Sequence, residues 1–271
     1  MIKTRVVIVS LLAAALFALT ACADPSAQTT GTRITVFAAA SMQETLTRIK
    51  ELYETEHPEV ELVLNLESSG TLKTQIEEGA ECDLFISAAQ KQMDQLDITV
   101  NPDGPDFVDP DTRVNLLENQ VVLIVPDGNP KDVTGFARMA QRLAAGELLL
   151  AMGNSDVPAG QYAQAVFDFY GLDEAAIAAA GNITYGSNVK EVTAQVAEGA
   201  ADCGIVYRTD AFSAGLSVVD RATPEMCGQV IYPAAVLKTS KNPDAARAFL
   251  EYLFSAPAME TFASVGFSPA A

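Results

Sequence analysis

Residues 60–87 read VELVLNLESSGTLKTQIEEGAECDLFIS. Apolar and polar residues alternate over 60–66, as on a strand with one buried face. Three small residues follow, Ser68, Ser69 and Gly70. Residues 71–78 then read as a helix that stops at Gly79, and the apolar run 83–87 is a second strand. Working outward, 34–38 reads as a strand. Residues 43–56 place Leu46, Ile49, Leu52 and Tyr53 at helical spacing, and 90–96 reads as another helix. The resulting β-α-β-α-β-α rhythm implies a parallel sheet covered by helices.

A Pro- and Asp-rich loop, 101–111 (NPDGPDFVDPD), precedes a strong strand at 120–126 (QVVLIVP). A second alternating set follows. Its strands are expected at 148–152, 183–185, 204–207 and 216–219, its helices at 161–170, 173–180 and 189–197. A strand at 230–237 and helices at 243–254 and 258–264 close the chain. The expected fold class is α/β, with two mostly parallel sheets flanked by helices. Two crossover strands join two lobes: 33–119 with 231–271, and 120–230. A ligand then belongs in the cleft between lobes, at the carboxyl ends of parallel strands.

The 271 residues provide ample apolar material for a core. Residues 1–21 stand apart. Lys3 and Arg5 precede an apolar run, 6–19, of signal-peptide length and too short for a comfortable membrane span. The run ends in Leu19-Thr20-Ala21-Cys22, which resembles a bacterial lipobox. The expectation is a signal peptide over 1–21, a lipid on Cys22 and a small, polar tether over 22–32. The simpler alternative is a secreted protein with a chance cysteine at the cleavage site.

The net charge of −18 argues against nucleic acid, since no basic cluster could displace counterions from phosphates. It does not exclude a small anion, because local dipoles can oppose the mean field. Beyond Cys22 the cysteines are Cys82, Cys203 and Cys227. An exported compartment permits a disulfide, and Cys203–Cys227 is the expected pair, both lying in the second half of the fold. No cysteine has C-x-x-C spacing and the single histidine, His57, precedes Pro58, so no zinc site is expected.

Small or hydroxylic residues recur where strands meet helices. Ser41 follows Ala38–Ala40, and Ser68-Ser69-Gly70-Thr71 follows 60–66. Pro158-Ala159-Gly160 and Gly186-Ser187-Asn188-Val189 open helices, and Tyr207 ends GIVY. Any single serine here could be an ordinary helix cap. Together these junctions offer free amides, hydroxyls and positive helix ends to an anion. Alanine and glycine let the backbone come close.

The segments TVFAAASM, SSGTLKTQIEEGAECDLFISA, VPAGQYA, GIVY and YPAAVL, in this order and spacing, resemble the molybdate-binding proteins of ABC importers. The resemblance runs from about residue 33 to 267. It implies a two-lobed, type II periplasmic-binding-protein fold and an exported receptor for molybdate and tungstate. It also implies partnership with membrane permease subunits and a separate ATPase, no cofactor and a monomeric state. It further implies a tetrahedral oxyanion held by the Ser41 and Ser69 hydroxyls, the Ala159 and Val189 amides and the Tyr207 phenol. Two positions depart from the family pattern. Gly70 stands where Ser or Thr is common, and Glu67 where a small residue is usual. An acid this near the site would weaken anion binding, so the Glu67 side chain is expected to point away.

Each hydrogen bond to a charged group contributes roughly 1.5–3 kcal/mol net, so about half a dozen can hold a small dianion without a cation. Lys73 and Lys190 accordingly read as exposed helical charges. The rival readings are a receptor for sulfate or phosphate, or a serine-dependent enzyme. The chain has no Gly-x-Ser-x-Gly elbow for the latter. An organic solute would call for aromatic walls, and the chain has no Trp.

Overall fold

A computed structural model describes residues 31–270. The expected signal peptide, Cys22 and all but the end of the expected tether lie outside the described residues. From the start of the described chain, β1 (Thr32–Ala39) passes through a one-turn 3-10 segment (Ala40–Met42) into α1 (Gln43–Glu56). Then come β2 (Val60–Glu67), α2 (Ser69–Glu77), β3 (Leu84–Ile86), α3 (Gln90–Leu96) and β4 (Val114–Asn119). β5 (Val121–Val125), α4 (Phe136–Ala144), β6 (Leu150–Gly153), α5 (Pro158–Tyr170) and α6 (Glu174–Ala179) follow. After them run β7 (Ile183–Gly186), α7 (Val189–Ala197), β8 (Cys203–Tyr207), α8 (Arg208–Ser213) and β9 (Ser217–Arg221). The chain ends with α9 (Pro224–Cys227), β10 (Val230–Val236), α10 (Pro243–Tyr252), α11 (Ala256–Val265) and β11 (Ser268–Pro269).

The strands form two mixed sheets, ordered β11-β4-β10-β3-β1-β2 and β7-β6-β8-β5-β9. In the first, β2, β1 and β3 run parallel side by side, with Val36 facing Leu64 on one flank and Leu84 on the other. In the second, β7, β6 and β8 do the same, with Leu150 between Ile183 and Cys203. β10 and β5 run antiparallel to their neighbours, as does the short edge strand β11, but β10 and β5 are interior. β10 and β5 are also the strands by which the chain enters each sheet from the other. β4 reaches β5 through Gln120 alone, and the chain returns from β9 to β10 through α9. The elements β4, α4, α8, α9 and β11 are additions to the expected pattern. α4 buries Phe136, Met139, Ala140 and Leu143, one stripe at helical spacing.

Aliphatic side chains from both sheets form one continuous core, Ile34 and Val36 from the first, Leu123 and Ile205 from the second. A smaller cluster packs α2 and α3 on the first sheet around Leu72, Phe85 and Met93. This construction sets three neighbouring strand ends of one sheet toward three of the other.

The expected Cys203–Cys227 disulfide is not formed, since both are free thiols. Cys203 begins β8 and Tyr207 ends it, about 13 Å further along an extended strand. Cys227 sits at the Tyr207 end, sharing a cleft with Arg208 and Val121, the residue paired with Tyr207. A disulfide needs Cα atoms within about 7 Å. Burial pushes the two thiols up, to about 12 and about 11.

Candidate functional site

The three parallel strands of the first sheet end in small residues because backbone must meet backbone there. β1 gives way to Ala40 and Ser41, both buried. β2 gives way to Ser68, which caps α2 by accepting from the Thr71 amide at 3.1 Å. Ser69 is then the first residue of α2, buried, and its Oγ accepts from the Ala88 amide, just past β3, at 2.9 Å. One hydroxyl thus ties the end of β2 to that of β3. The Ser41 Oγ lies 2.8 Å from the Tyr232 hydroxyl of β10.

The second sheet contributes differently. After β6 the chain turns into α5 with Pro158 at its first position, where the missing N–H costs nothing. Ala159 and Gly160 follow, and a Cβ on Gly160 would come within 2.4 Å of the Gly153 carbonyl oxygen. Only glycine allows α5 to start this close to β6. After β7, Asn188 caps α7 by accepting from the Glu191 amide at 3.1 Å, which makes Val189 the first helical residue. First-turn amides have no acceptor within their own helix. β8 ends in Tyr207, whose ring is buried and whose hydroxyl has no hydrogen-bond partner. Burial pushes this phenol well above its ordinary value, so it stays a neutral donor.

All five residues named from the sequence and its family resemblance, Ser41, Ser69, Ala159, Val189 and Tyr207, line one pocket, a tightly closed one of about 10 Å³. The other lining residues are alanines, Ser68, Val157 and Pro158. No charged side chain lines it. The N-termini of α2, α5 and α7 meet there, each presenting its positive end. Larger clefts, of about 270 and 580 Å³, lie elsewhere and contain none of the five.

The structure corrects the reading of Lys190. It is no exposed helical charge. Its ammonium bonds both carboxylate oxygens of Glu44, on α1, at 2.8 Å, and lies 3.2 Å from the fully buried Asp210 of α8. Burial lowers its pKa, but Asp210 and Glu44 overcome this and hold it above its ordinary value. Burial raises Asp210 to about 6, against the opposing effect of Lys190. Lys73 pairs with Glu77 on its own helix at 2.7 Å.

Glu67 does not line the pocket, but it is not turned out to solvent either. Its Oε2 accepts from the Ser68 amide at 3.1 Å and from Asn188 Nδ2 at 3.2 Å, so it joins loops of the two sheets. Gly70 has a steric reason: a Cβ there would lie 2.0 Å from the Asp156 carbonyl oxygen, in the loop before α5. Sequence reasoning missed Asn119, Tyr232 and Asp210 around the pocket. Tyr232 carried a signal, as the only aromatic residue of a strand otherwise built from aliphatic residues and proline.

Parallel strand ends and helix N-termini from two sheets, converging on one small pocket, define a periplasmic solute-binding protein of the type II fold. Residues 34–268 match the family of bacterial extracellular solute-binding proteins, and the chain belongs to it. The molybdate-binding protein ModA of Haemophilus influenzae is 34% identical over 87% of this chain and 90% of its own. Bacillus subtilis YvgL, which is named as an ABC transporter substrate-binding lipoprotein, is also 34% identical, over 87% and 86%. The solved periplasmic molybdate-binding protein of Azotobacter vinelandii superposes with a TM-score of 0.73 over 88% of this chain and all of its own. At 21% identity, that likeness speaks for the fold.

Proposed function

We propose that this protein is the extracytoplasmic receptor of an ABC importer for molybdate, and that it takes tungstate comparably. The observation that carries this reading is the pocket itself. Neutral donors from both sheets converge there, including a buried phenol with no acceptor of its own. An unpartnered buried hydroxyl is costly, and an oxyanion would satisfy it. The Ser41 and Ser69 hydroxyls, the Ala159 and Val189 amides and the Tyr207 phenol are the proposed ligands. Several charge-assisted bonds of roughly 1.5–3 kcal/mol each can offset the desolvation of a dianion.

Each sheet with its helices acts as one lobe, 33–119 with 231–271 and 120–230. The lobes hinge at the two crossovers, and the closed form docks on permease subunits served by a separate ATPase. The chain is exported and held to the membrane by a lipid on Cys22, as a monomer. It works as a receptor and not as an enzyme, with the anion as cargo and no cofactor.

Calorimetry with molybdate, tungstate, sulfate and phosphate tests the reading. Molybdate and tungstate should bind alike. Sulfate is smaller, so donors set for a larger tetrahedron cannot all reach it, and it should bind more weakly. Equal affinity for sulfate and molybdate would defeat the size argument, and binding of none of them would defeat the proposal.

A further inference from the structure

A serine hydroxyl can donate or accept, so its presence in a pocket does not by itself make it a donor to an anion. The structure resolves this ambiguity for Ser41. The Gln120 amide donates to Asn119 Oδ1 at 2.8 Å. A backbone N–H can only donate, so the oxygen of the Asn119 amide must face it, and the nitrogen must lie on the other side. Asn119 Nδ2 then donates to Thr209 Oγ1 at 3.0 Å and to the Tyr232 hydroxyl at 3.2 Å. The Tyr232 oxygen therefore accepts from Asn119. Its own hydrogen is left for its other neighbour, the Ser41 Oγ at 2.8 Å. Ser41 then accepts from Tyr232, which leaves its own hydrogen for a partner in the pocket it lines. Asn119, Tyr232 and Ser41 are all buried, so no bulk water competes for these bonds.

We propose that Asn119 and Tyr232 are positioning residues that lock Ser41 as a donor toward the bound anion. This rests on the oxyanion reading above and deepens it. The relay makes the first sheet's side of the pocket disfavour anions that carry a proton, since Tyr232 occupies one Ser41 lone pair and biases the Ser41 hydrogen toward the anion. Two dianions of equal charge separate this effect from simple electrostatics. Molybdate carries no proton, and hydrogen arsenate carries one.

The test is competitive calorimetry of both anions at mildly alkaline pH, on the wild type and two variants whose folding is checked by melting temperature. In Asn119→Asp the relay runs backwards. The carboxylate can only accept from Tyr232, Tyr232 then accepts from Ser41, and Ser41 turns a lone pair to the pocket. Molybdate should weaken by about tenfold or more, and hydrogen arsenate by clearly less, so the affinity ratio falls. The added negative charge alone would weaken both dianions by the same factor. In Tyr232→Phe the Ser41 hydroxyl rotates freely. Molybdate should lose only a few-fold by the same measure, and the ratio should again fall. If Asn119→Asp does not fold, Tyr232→Phe decides alone. An unchanged ratio in a folded variant overturns the relay while leaving the oxyanion reading intact. A wild type that binds neither anion overturns both.

Discussion

The two faces of the pocket are built on opposite principles. On the first sheet the hydroxyls are already engaged, Ser41 with Tyr232 and Ser69 with the Ala88 amide. On the second sheet the Tyr207 hydroxyl has no partner, and the amides of Ala159 and Val189 lie in first helical turns. The first face is held in shape by its own bonds. The second carries unsatisfied polar groups whose cost is relieved only when an acceptor arrives. A receptor gains from this division. One face aims its donors beforehand, and the other gains most from the ligand, so closure is favoured when the anion is present.

The largest effect should come from breaking the fit between the faces. Gly70→Ala places a Cβ 2.0 Å from the Asp156 carbonyl oxygen. Relieving that clash must separate the α2 and α5 ends. Overpacking of this kind costs about 1–3 kcal/mol, so molybdate affinity should fall roughly ten- to hundredfold by calorimetry. Wild-type affinity in this variant would mean that the contact is not needed for binding.

Next come two substitutions that contrast the faces directly. Ser69→Ala removes a donor and also leaves the Ala88 amide without its acceptor, so binding should weaken by about tenfold or more and the ligand-free melting temperature should drop. Tyr207→Phe should weaken binding by about the same factor. Its ligand-free melting temperature should hold or rise, because it removes a buried hydroxyl that has no partner. Parallel melting shifts in the two variants would erase the contrast.

A smaller effect concerns Asp210. Its folded pKa, about 6, lies above its ordinary value of 3.8. Between those values the folded state binds more protons than the unfolded state, so this group's contribution to stability is lost as pH rises through about 6. Asp210→Asn should therefore gain on the wild type between pH 4.5 and pH 7, by a few °C on the order-of-magnitude scale for one buried group. A melting difference that stays flat across that window would show that the carboxylate is not held up. The smallest effect is expected at the Lys190–Glu44 pair, where Glu44 is half exposed. Glu44→Gln should weaken molybdate by no more than about fivefold, and less in high salt.

Much of this was legible in advance. The helices 43–56, 90–96 and 189–197 were expected with the bounds they have as α1, α3 and α7. Each carries its own apolar period. The partition into two mixed sheets was legible because the strand and helix signals reset after 101–111. The five junctions could be found because small or hydroxylic residues where strands meet helices are a local pattern, and the family resemblance implied which residue of each would meet the anion. Lys190 and Cys203–Cys227 misled for the opposite reason. Whether a lysine on a helix meets water or a buried carboxylate depends on how α8 packs back on α7 and on α1, 146 positions away. Whether two cysteines can pair depends on which end of β8 the second approaches.

The sequence by itself determined the order of strands and helices, the small residues at their junctions and the neutrality of the donor set. These are properties of neighbouring residues, set by periodicity, capping and backbone access. Only the tertiary structure decided that the five junctions share one pocket, that Gly70 abuts the Asp156 carbonyl and that Ser41 meets Tyr232, which Asn119 holds in turn. Those contacts join residues far apart in the chain, such as Ser41 with Tyr232 at a separation of 191. The direction of a hydroxyl's hydrogen bond is set by which partners surround it, and those are chosen by packing across the sheets.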